Sequence, residues 1–265
     1  MDLYFLPILI TGALAGIGIG LLGVFIVGMR IPFIGTCISH AAMVGAVYAS
    51  LFGVNPTWGA ICLSMAGSAG MACLPADHKK LDTNTNQAVF LAFMMGLVFL
   101  AVGLEQDSRS EMLSLLWGSV LFAGWDTVIL TGSLTLVLGL FICVFNKELK
   151  SILFSRSLAQ VSGPYMNWIY FIFLCLCGLI LAVNLKAVGG LLIFSLLVCP
   201  ASAAYQICKG HKTVIIISIL FGVLSSVLGF LMSYYLSLPT GACTVLTSTS
   251  IFFVCSVWSA RTAAQ

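Results

Sequence analysis

Nine stretches, each close to the roughly 20 residues a bilayer-spanning helix needs, follow one another with a single Lys, Arg, Asp or Glu, Asp126, inside them. They cover 5–29, 33–53, 57–74, 88–104, 125–145, 165–184, 187–207, 213–236 and 241–259. Such a chain has nothing with which to face water. Of its 265 residues, 61% are hydrophobic and 7% are charged, against about 25% charged in a soluble domain. Its mean hydropathy is +1.15. A soluble enzyme, a nucleic-acid-binding domain and a disordered chain are excluded. The net charge of +3 points to no particular partner. The apolar runs are continuous rather than alternating, so they predict helices and not β-barrel strands. A shorter apolar piece, 112–124, carries Gly118 and Gly124 and predicts a re-entrant or interfacial helix. The expected fold is an all-α polytopic membrane protein of eight or nine transmembrane helices, forming one domain over 1–265.

Lys and Arg prefer cytoplasmic loops. With the N-terminus outside and nine spans, Arg30, Lys79, Lys80, Lys147, Lys150, Arg156, Lys209, Lys212 and Arg261 fall inside. Only Arg109 and Lys186 fall outside, with the acidic cluster Glu105, Asp107 and Glu111. The C-terminus is then cytoplasmic. No cleavable signal peptide is expected, because the first apolar run has no basic segment before it and leads straight into another. The ten cysteines sit mainly in apolar runs, where a small polarizable side chain packs well, and do not read as a disulfide framework.

His40 is the one histidine inside a span, in PFIGTCISHAAMVGA. An intramembrane ionisable group is costly and points to function. The alternative is a neutral imidazole satisfied by a hydroxyl or a backbone carbonyl. Thr36 at i−4 and Cys37 at i−3 share a helix face with His40, and imidazole, thiol and hydroxyl together can meet a divalent metal. His78 and His211 stand beside lysines and read as solvated. Gly189 and Gly190 read as packing positions, and Cys199–Pro200 as a break at the far end of 187–207. The chain has no G-x-x-x-x-G-K-[ST] loop for ATP and no buried carboxylate relay of the kind proton-coupled carriers use. It therefore reads as the membrane subunit of a larger machine, with an ion- or proton-coupled secondary carrier as the alternative. The loop 145–164 mixes charge with an apolar stripe at Leu149, Ile152, Leu153, Leu158 and Val161. It predicts a short helix lying on anionic lipid or fitting a groove on a cytoplasmic partner.

Five segments, in order along the chain, carry a family resemblance: LLGVFIVGMRIPFIGTCISHAAMVG (21–45), LLWGSVL (115–121), FNKELKSILFSRSLAQVSG (145–163), KAVGGLLIFSLLVCPASAA (186–204) and SYYLSLPTGACTVLTSTSIFF (233–253). The chain resembles the permease subunits of the manganese/zinc/iron ABC importer family. That resemblance implies a bacterial inner-membrane permease with no ATPase activity of its own. It implies a cytoplasmic ATP-binding subunit, an extracytoplasmic metal-binding protein and a permease dimer with the metal path at its axis. The transported metal would be zinc, manganese or iron, with no permanently bound cofactor. A chelated metal is the alternative cargo. Loop 145–164 would contain the coupling helix, with Lys147, Glu148, Lys150, Ser151 and Arg156 facing the ATPase. The family's second span carries an aspartate four residues before its histidine; here the histidine is His40 and the aspartate position is Thr36. Two copies of His40 and Cys37 across a homodimer axis would suit zinc or ferrous iron better than manganese. A heterodimer whose other half keeps the aspartate is the second arrangement.

Overall fold

The computed structural model describes residues 5–73, 83–104, 124–163, 165–189 and 193–263. The acidic cluster, His78, Gly190 and segment 112–123 lie outside them. The described residues form eleven helices: α1 Phe5–Gly28, α2 Phe33–Leu51, α3 Pro56–Cys73, α4 Thr83–Leu104, α5 Trp125–Val144, α6 Asn146–Phe154, α7 Arg156–Val161, α8 Tyr165–Val188, α9 Ile193–Ile207, α10 His211–Leu236 and α11 Thr240–Ala263. Each of the nine expected spans falls on one of them. Seven are long and apolar enough to cross a membrane: α1, α2, α4, α5, α8, α10 and α11. The other two are α3, of 18 residues, and α9, of 15.

The bundle is organised about α1, α2 and α8, which are mostly buried, while α4, α5, α10 and α11 are mostly exposed. Their exposed side chains are apolar, among them Phe93, Leu100, Ile129, Leu136, Leu140 and Phe253. Such a surface suits lipid and not water. With lipid outside and apolar side chains inside, small residues must bring the helices together. Gly12, Gly16 and Gly20 of α1 face Ser226, Gly222 and Ser218 of α10, one turn apart on each helix. Ser218 Oγ donates to Gly20 O at 2.8 Å and Ser226 Oγ to Gly12 O at 2.6 Å. A Cβ on Gly16 would stand 2.6 Å from Gly222 O, so a larger residue forces the backbones apart. Gly45 of α2 and Gly59 of α3 make the same close approach.

Two expectations about 187–207 are corrected. Residues 187–188 complete α8, and Gly189 follows with φ +91. In that left-handed region glycine has no steric penalty, so Gly189 ends a helix. Pro200 does not break α9 but lies buried inside it.

Arg30 and Ser237 have positive φ, 59 and 54. At Arg30 the turn after α1 has the two bonds of a Schellman cap: Ile31 N donates to Ile26 O at 3.1 Å and Arg30 N to Val27 O at 3.0 Å. Glycine is the usual residue there, and a side chain costs about 1 kcal/mol.

Candidate functional site

His40 lies mid-helix on α2 and is 2% exposed. A helix interior has no free backbone donors, so the ring turns to its own backbone: Nδ1 is 2.8 Å from Thr36 O. A carbonyl only accepts, so a neutral ring carries its proton on Nδ1 and a lone pair on Nε2. Nε2 is buried and has no partner, and neither has Thr36 Oγ1. The backbone bond expected of a structural histidine is present, yet it satisfies only half the ring. A histidine held through one nitrogen in this way leaves its other nitrogen free to meet a ligand. Cys37 is differently engaged. Its thiol donates across to Gln87 O of α4 at 3.0 Å. Thr36 and His40 thus hold unpartnered atoms, while Cys37 ties α2 to α4.

Two buried amides escaped the sequence reading. Gln87 and Asn184 are each 1% exposed, and each has a side-chain oxygen without a partner. Asn184 Nδ2 donates to Ile180 O at 2.8 Å. The signal for Asn184 was a lone amide in LCLCGLILAVNLKAV. No cluster of three or more His, Cys, Asp or Glu occurs among the described residues. The only acidic side chains among them are Asp126, in the first turn of α5, and Glu148.

His211 is not a free loop residue. It opens α10 after Gly210, and its ring meets Phe25 edge-on at 5.7 Å.

Loop 145–164 forms two helices. Ser155, extended at φ −161, separates α6 from α7 and caps α7 through Oγ, which accepts from Leu158 N at 3.4 Å. The break divides the expected apolar stripe. Leu149 and Ile152 are buried and Leu153 is half-buried, whereas Phe154, Leu158 and Val161 are 84%, 61% and 86% exposed. Lys147 and Lys150 are exposed; Glu148 and Ser151 are half-buried. Arg156 turns inward. Its Nη2 donates to Ala72 O of α3 at 2.9 Å, and its guanidinium lies 4.1 Å from the centre of the Tyr170 ring. It anchors α7 to the bundle and does not lie free on the surface.

The described residues thus form a lipid-facing helical bundle with an unpartnered imidazole in its second helix and a two-helix loop with an exposed apolar edge. The chain matches the ABC 3 transport family over residues 1–259, and it belongs to that family. It is 30% identical over 256 residues to the manganese import system permease protein ScaB of Streptococcus gordonii, covering 96% of this chain and 91% of that one. It is 27% identical over 247 residues to the high-affinity zinc uptake system membrane protein ZnuB of Haemophilus influenzae, covering 93% and 94%. Among solved structures, PsaBC from Streptococcus pneumoniae in complex with Fab has a TM-score of 0.82 at 25% identity, covering 96% of this chain and 91% of that chain.

Proposed function

We propose that this chain is the permease of an ATP-driven importer that moves a divalent transition metal, zinc, manganese or iron, into the cytoplasm by alternating access. The carrying observation is His40, whose buried Nε2 has no partner, as the hydroxyl of Thr36 one turn earlier on the same helix has none. His40 offers the metal its lone pair and Thr36 an oxygen. Cys37 becomes a third donor when its bond to Gln87 O is released. Two permease copies would place two such sets at a shared axis, and the ion passes from an extracytoplasmic binding protein through them. Without the family's aspartate the donors favour zinc or ferrous iron over manganese.

The energy comes from a separate ATP-binding subunit docked on α6 and α7. Phe154, Leu158 and Val161 enter its groove, Lys147, Glu148, Lys150 and Ser151 border the contact, and Arg156 passes the movement to α3 and α8. This reading puts the basic ends of α1, α6 and α10 in the cytoplasm and the N-terminus outside. The test is His40→Ala with the complex still assembled, followed by uptake of radioactive zinc and manganese. Loss of uptake is expected; unchanged uptake removes His40 from the path.

A further inference from the structure

We propose that the cavity between the α1–α2 turn, the α6–α7 junction and Tyr170 of α8 is a phosphate-recognising site, filled by the headgroup of an anionic membrane lipid. The cavity holds about 570 Å³, and Arg30, Lys150 and Arg156 line it, with no carboxylate among the described residues of its wall. Three cations round one space repel one another until an anion enters. Neither Asp126 nor Glu148 lines the space.

Two further observations point to a ligand. Arg30 occupies the left-handed cap position, φ 59, where glycine would be unstrained. Backbone strain of this kind persists at ligand clamps, and the strained residue here is one of the three cations. Arg156 is already oriented by Ala72 O and the Tyr170 ring, and its buried Nε has no partner. A fixed guanidinium matches the oxygens of a phosphate. The rest of the wall includes Met29, Ile31 and Leu153, apolar side chains suited to a glycerol backbone and the first carbons of an acyl chain. The cavity lies at the joined ends of α1 and α2, two helices long and apolar enough to span the bilayer, which is the level at which headgroups stand.

The test uses the full-length chain purified in mild detergent. Native mass spectrometry would read retention of dioleoyl phosphatidylglycerol against dioleoyl phosphatidylcholine, with inorganic phosphate as a separate competitor. Phosphatidylglycerol should be retained roughly tenfold better, as attraction to two or three cations allows. The preference should vanish in Arg30→Gln/Lys150→Gln and survive in Lys147→Gln, outside the cavity wall. Arg30→Gly should also lose it while melting no lower than the parent, which separates lost binding from lost folding. Displacement of the lipid by millimolar inorganic phosphate would make the ligand a free anion and overturn the lipid assignment. Equal retention of both lipids, or a preference that survives the double variant, would overturn the site. A double variant that keeps the lipid but loses the co-purifying ATP-binding subunit would assign the cavity to that partner and equally overturn it.

Discussion

At His40 the chemistry of the proposed path is decided by two atoms. Nδ1 is committed to Thr36 O and Nε2 has no partner, so the second nitrogen is free for a ligand. In the proposed path Thr36 is the residue that sets which metal is preferred. Replacing it with aspartate puts a carboxylate one turn from the imidazole, and manganese prefers carboxylate oxygen. Thr36→Asp should therefore raise manganese uptake relative to zinc by roughly tenfold, the scale on which metal-site changes act. Competition between the two radioactive metals would read it, and an unchanged ratio would count against a path past this residue. Cys37→Ala removes the bond to Gln87 O, a loss of about 1 kcal/mol, visible as a small fall in melting temperature. Spacing alone places residue 37 on a helix face with His40. Its true partner is a backbone carbonyl 50 positions away, which no local pattern reveals.

Among the elements, the α1–α10 contact tolerates the least change. Gly16 and Gly222 meet backbone to backbone, and Gly222→Leu should destabilise the bundle by about 2–3 kcal/mol through overpacking, measured as thermal unfolding in detergent. The long helices were legible because apolar length is a property of the chain by itself. The end of α8 was not, since Gly189 reveals its role only through its φ of +91. Nor was the helix path through Pro200, whose cost depends on the neighbours that satisfy the freed backbone. The apolar stripe of 145–164 assumed one continuous helix, and the extended Ser155 turned half of it outward. That correction exposes Phe154 and Leu158 as an edge. Phe154→Asp/Leu158→Asp should abolish co-purification of the ATP-binding subunit and leave the permease's melting temperature within a few degrees. A complex that survives both changes would exclude this edge as the docking surface.

Across the whole molecule, the membrane-length helices carry charge, among the described residues, only in their first and last turns, and the proposed path holds neutral donors. Among the described residues no carboxylate stands deep in a span that could carry protons, since Asp126 lies in the first turn of α5. In the proposed function the coupling energy arrives instead through the loop that carries α6 and α7. The match to the ABC 3 transport family over nearly the full length agrees with a transport domain that borrows its motor. The most direct test is radioactive zinc uptake by proteoliposomes containing the permease with and without its ATP-binding subunit, with and without a proton gradient. The account predicts accumulation that requires the subunit and ATP, persists when the gradient is collapsed and disappears in His40→Ala. Accumulation by the permease alone, driven by the gradient, would contradict it.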